Sequence, residues 1–170
     1  ITQMAGAYRS VEGKASALKL DGRRAWVTMA QAGEQMLQSI QWQDQQPSLQ
    51  QQNSFEGELV GINGNLVYSK SGNSILVWQV QNNHWIPLIG YSLDQLKQVI
   101  HQDGKLWALT AGALVELNLV YSNEIIKLAE SNRYNLDEYD GMALIQNKVA
   151  LWHDNVLDLY KVSASELEPV

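Results

Sequence analysis

The chain has 170 residues, 45% of them hydrophobic and 18% charged, enough apolar material to bury a core and too little charge for a disordered chain. Its formal net charge of -6 argues against a basic face for nucleic-acid phosphates and against a polybasic membrane anchor. With no cysteine it has no disulfide, thiol nucleophile or Cys-based zinc site.

The chain starts Ile1 to Tyr8, without an initiator Met, a basic head or an apolar stretch. It therefore reads as a processed chain or an excised fragment with no signal peptide, and its compartment stays open. Every apolar run is too short for a membrane-spanning helix.

Tight-turn residues then punctuate the chain. Asp21-Gly22, Asn63-Gly64 and Asp103-Gly104 suit two-residue hairpin loops, and Asn147-Lys148 fills the corresponding place in a fourth copy. Asp21, Asn63, Asp103 and Asn147 stand 42, 40 and 44 residues apart. A short apolar or alternating run precedes each turn, and a run with a large aromatic follows it. Trp26, Tyr68, Trp107 and Trp152 are taken as the equivalent aromatics, hence as core.

A second turn follows in each copy, at Gln31-Ala32-Gly33, Ser71-Gly72-Asn73, Ala111-Gly112 and His153-Asp154-Asn155. A third apolar run comes next: 36–42, 75–80, 114–120 and 156–162. Fourth strands are expected at 84–89 and 124–128. One domain, 1–170, thus divides into four units at about 15–52, 57–90, 97–130 and 141–162. Four segments read as other than strand. Gln41 to Gln52 is a polar linker. Ser92 to Gln95 is a capping box opening a helical turn, with Asn132 to Tyr139 a second short helix. Ser163 to Glu168 is a frayed tail.

The unit of apolar run, Asp-Gly, Leu-Trp, turn and apolar run, clearest from Val99 to Leu117, resembles that of β-propeller repeat proteins. The resemblance covers nearly the whole sequence. No Gly-His opens a unit and no Trp-Asp closes one, so the WD40 signature is absent, as are the kelch and pyrroloquinoline-quinone hallmarks. It implies an all-β chain of antiparallel four-stranded repeats forming a propeller or part of one, the alternative being a β-meander or sandwich. Ala7 to Val11 could supply a ring-closing strand; a homodimer or blades of a parent chain could also complete the ring.

Function follows less directly. His153-Asp154 sits in a turn that wants Asp, without a third ligand, so no metal site is expected. No nucleophile elbow or triad spacing occurs, and no catalytic residue or cofactor is assigned. Asp137-Glu138-Tyr139-Asp140 lacks calcium-loop spacing and reads as a solvated linker. The first expectation is a non-enzymatic scaffold binding a protein partner, with no nucleic acid and no membrane insertion. Its surface would be the loops Pro47 to Glu56, Ile89 to Asp94 and Ser131 to Asp140. Asp94, Tyr134 and Tyr139 lie there, and His84 with Trp85, taken as partly exposed beside Pro87, completes the binding set. The alternatives are a carbohydrate-binding module using exposed Trp and an enzyme with a central-channel site.

Overall fold

The computed structural model describes residues 14–21, 24–31, 34–43, 46–81, 84–122, 125–164 and 166–170. They form four antiparallel sheets, each of four strands consecutive in sequence. Sheet one holds β1 (Lys14–Asp21), β2 (Arg24–Gln31), β3 (Glu34–Gln43) and β4 (Gln46–Ser54). Sheet two holds β5 (Glu58–Asn63), β6 (Leu66–Ser71), β7 (Ser74–Gln81) and β8 (His84–Ser92). Sheet three holds β9 (Leu96–Gln102), β10 (Lys105–Thr110), β11 (Ala113–Ser122) and β12 (Ile125–Asn135). Sheet four holds β13 (Gly141–Ile145), β14 (Lys148–His153), β15 (Val156–Val162) and β16 (Leu167–Pro169). The expected segment Ala7 to Val11 lies outside the described residues.

The sheets stack in sequence order. The first strands β1, β5, β9 and β13 lie side by side, and on the far edge β8 contacts β4 and β12. Each middle sheet therefore has two covered faces. We call the face toward the next sheet forward and the other backward. In β10, Leu106 and Ala108 point backward into the cluster shared with sheet two, while Trp107 and Leu109 point forward into the cluster shared with sheet four. Strand alternation does this, and it makes β10 apolar at nearly every position. A third cluster joins sheets one and two around Trp26, Leu37, Val67 and Trp78.

The hairpin pairings set the register of the repeat. Arg24, Leu66, Lys105 and Lys148 each open the second strand, paired to the residue just before the loop. Two residues on stand Trp26, Tyr68 and Trp107, all buried, but in sheet four that place is Ala150. The second loop is Gly64-Asn65, not Asn63-Gly64, since Asn63 still pairs with Leu66, and the fourth is Gln146-Asn147, not Asn147-Lys148, with Gln146 at φ 55. Trp152 is consequently displaced by one pleat from the aromatic position and is 37% exposed, which corrects its assignment to the core.

The non-strand expectations are corrected too. The segment 46–54 is β4, and Asn132 to Asn135 continue β12 opposite β11. Their backbone groups are satisfied by ladder pairing, which asks nothing apolar of an outermost strand. Ser92 to Gln95 is a tight link rather than a helix. Asn73 accepts from Leu93 N at 2.9 Å and from Leu96 N at 3.2 Å, and Gln95 adopts φ 54. In the tail, Ser163 N donates to Glu166 O at 3.0 Å, turning the chain into β16.

Sheets two and three meet closely where His101 stacks on Tyr68, ring centroids 4.9 Å apart. Burial, aided by the charge of Lys19 and opposed by Asp103, lowers the His101 pKa from its ordinary 6.5. The unfolded chain then takes up this proton more readily than the folded one. The stability held by neutral His101 is full above 6.5 and lost as pH falls through the folded value. His101→Gln should flatten the fall in melting temperature between about pH 7 and 5; an unchanged slope in the variant would assign the fall to other groups.

Candidate functional site

The most built polar site lies between sheets three and four. Glu116, on β11, faces forward opposite Trp107 and is buried. The same place holds Ser39 in sheet one, Val77 in sheet two and Leu159 in sheet four, so only here does the repeat bury a charge. Two neighbouring strands supply its partners. Lys105 of β10 makes an ion pair with it, and Asn132 of β12 donates from Nδ2 at 2.7 Å. A bulge in the β11–β12 pairing falls beside Glu116, where Ser131 Oγ donates to the Glu116 carbonyl at 3.2 Å.

Burial alone would raise the Glu116 pKa. The bonds from Lys105 and Asn132, with the Lys105 charge and Ser131, outweigh it and hold the carboxyl below its ordinary 4.5. It stays ionised at neutral pH, with little proton affinity for a general base. Around it opens a cavity of about 410 Å³, lined also by Trp107, Leu144, Lys148 and Val162. One aromatic wall, two lysines and a fixed carboxylate suit holding a polar group more than moving a proton.

The expected binding residues fall in several places. Tyr134 and Tyr139 come together in the cluster between sheets three and four and border a second cavity of about 430 Å³. Both are buried: Tyr134 Oη donates to Ser163 O at 2.8 Å, and Tyr139 Oη donates to Asp158 at 2.8 Å, 3.0 Å from Tyr160 Oη. Burial, then Tyr160 and Asp158, push the Tyr139 pKa well up, so it is a neutral donor. Asp94 is exposed in the link between sheets two and three. Trp85 lies near the start of β8 but is buried, edge-on to Trp26 at 5.2 Å, which corrects its expected exposure. His84 opens β8, and its side chain lies outside those described.

The long surface loops are corrected as well. Most of 47–56 and 89–94 and half of 131–140 are strand, leaving short links at 55–57, 93–95 and 136–140. These links gather at the end of the sheets that carries the second hairpin turns. Phe55 N donates to Gln35 O, Leu93 N to Asn73 O, Leu136 N to Gly112 O and Asp140 N to Trp152 O, at 2.8–3.0 Å. The acidic run keeps its carboxylates exposed, as expected, but its backbone and two of its acids are also held from below. Lys97 of β9 pairs with Glu138 at 3.0 Å and Asp140 at 3.9 Å, and donates to Tyr139 O at 2.7 Å. His153, beside it, packs edge-on to Tyr139 at 5.4 Å, and Asp154 occupies a turn at φ 49. Among the described residues no group of three or more His, Asp or Glu could hold a metal ion.

Solved structures share this arrangement. A Bacteroides fragilis protein provisionally designated a 6-phosphogluconolactonase superposes at TM-score 0.62 and 11% identity, over 97% of this chain and 57% of that one. The N-terminal domain of Nup159 matches at TM-score 0.56 and 11% identity, over 92% and 47%. The CNH domain of AfRom2 matches at TM-score 0.55 and 11% identity, over 98% and 60%. The fold is that of a β-propeller or part of one. At such identities the likeness shows the fold alone, and the chain spans about half to three fifths of those structures. No protein-family model and no curated protein matches the sequence.

Proposed function

We propose that the chain is a non-enzymatic propeller-type scaffold that binds a protein partner through the rim formed by its inter-sheet links. The observation that carries this reading is the rim's charge on a fixed backbone. Glu56, Asp94, Asp137, Glu138 and Asp140 are exposed on the three links, and Asp154 is exposed in the adjoining turn. The links are pinned by the backbone bonds and the Lys97 clamp just described, so little ordering entropy is lost on docking. Such a surface suits a partner segment rich in Lys and Arg, attracted by complementary potential. Two neighbours of the same fold are named as the N-terminal domain of Nup159 and a CNH domain, and one is provisionally designated a lactonase. The held, low-pKa Glu116 weighs against proton-transfer chemistry at the cavity between sheets three and four.

The test is fluorescence anisotropy with a labelled lysine-rich peptide. Neutralising the rim by Glu56→Gln, Asp94→Asn and Asp137→Asn together should weaken binding by about 10-fold or more at low salt. The pair Asp21→Asn and Asp103→Asn, at the other end of the sheets, should leave it nearly unchanged. Equal losses from both sets would mean diffuse net charge, and the rim reading would fall.

A further inference from the structure

We propose that the forward face of sheet four receives the backward face of sheet one from a second copy, so that two chains close one ring of eight sheets. The repeat itself supplies the argument. Position by position, the strand register shows what each face touches when a neighbour is present.

Leu37 pairs with Thr28, Ile75 with Lys70, Leu114 with Leu109 and Leu157 with Trp152, four equivalent places on the forward face. Leu37, Ile75 and Leu114 are 0% exposed beneath the following sheet, whereas Leu157 is 67% exposed. Trp152 beside it and Ile145 at the hairpin end of β13 share that open face, Ile145 being 59% exposed. Ile145 stands where the other sheets carry Asp21, Asn63 and Gln102, so the fourth repeat is apolar where its siblings are polar. A face meant for solvent would be expected to show the opposite substitution.

The chain also carries the complementary face. Leu20 is equivalent to Ile62 and Leu144, each packed against the cluster it shares with the preceding sheet. Leu18 is equivalent to Val99 and Met142, which are buried in the same manner. Leu18 is 60% and Leu20 77% exposed. One copy therefore holds both halves of an inter-sheet contact that the molecule makes three times within itself. Matching sheet four of each copy to sheet one of the other satisfies both faces under a single twofold axis. Eight sheets lie within the range in which propellers close.

The experiment is size exclusion with light scattering on the purified chain at tens of micromolar. The expected mass is 38.2 kDa, twice the 19.1 kDa of one chain. Leu157→Asp and Leu20→Asp each place a charge in both contacts of the ring and should raise the dissociation constant by about 100-fold or more, giving monomers. Both residues are exposed in the single chain, so each variant should keep its far-ultraviolet dichroism and its melting transition. Mixing the two variants leaves one unaltered contact per ring and should restore association. A wild-type monomer, an open-ended polymer, a dimer indifferent to both substitutions, or a mixture that stays monomeric would each overturn the proposal. None of these outcomes bears on the acidic rim, which the peptide titration tests separately.

Discussion

Gly61→Val should destabilise the chain by about 3 kcal/mol, a large share of the roughly 5–15 kcal/mol that holds a domain folded. Gly61 lies on β5, where sheet two meets β9 of sheet three. A Cβ built there falls inside van der Waals contact of the His101 Cβ and stands 2.7 Å from its Cγ. The obstructing atom is rooted in the backbone of β9, so no rotamer change clears it; one sheet must move off the other. At this chain length the loss corresponds to a fall in melting temperature of about 10 °C. Swapping the Cβ across the contact, Gly61→Ala with His101→Gly, should recover part of the loss that Gly61→Ala causes alone. A valine variant melting with the wild type would mean that β5 and β9 do not approach this closely.

The Glu116 ion pair should respond to its two partners unequally. Lys105→Met leaves a buried carboxylate held by Asn132 and Ser131 without a counter-charge, and should cost about 2 kcal/mol, discounted because the Lys105 side chain is 47% exposed and already part-solvated. Glu116→Leu releases Lys105 to water and installs the residue that sheet four carries at the same place, so it should be nearly neutral. The double variant should also sit near the wild type. Denaturant midpoints for the three proteins decide the matter. A costly Glu116→Leu paired with a harmless Lys105→Met would show the carboxylate to be less buried and the lysine more so.

The sequence carries the repeat because turns have strict backbone needs. Gly64, Gly72 and Gly104 adopt φ of 60, 54 and 77, and those glycines, with Asp103, made the hairpins visible. The same rule misled at the fourth hairpin. Gln146 takes φ 55, a residue seldom chosen for it, so the turn was placed too late and Trp152, two residues past the aromatic position, fell into the wrong class. Along 46–52 the composition suggested a linker because an outermost strand needs partners for its backbone and not an apolar stripe. Glu116 was not legible for a different reason. Its meaning rests on Lys105 and Asn132, which only strand register places beside it; in one dimension it is a single acid in an apolar run. Lys97 and the acidic link, 41 residues apart, were hidden likewise. Tyr134 and Tyr139 were singled out as loop aromatics, yet both sit buried, Tyr134 because its segment is a strand and Tyr139 because its link folds it against Asp158 and Tyr160 of sheet four.

That every sheet is made of four successive strands bears on how the chain is born. A nascent polypeptide lengthens by about 5–20 residues per second, while a hairpin closes in roughly 1–10 μs. Each sheet can therefore pair fully as it leaves the ribosome, seconds before the next has been made, with no distant strand to wait for. Its forward face is then bare until the following sheet emerges, and for that interval the growing chain presents to the cell the same kind of apolar surface that sheet four retains.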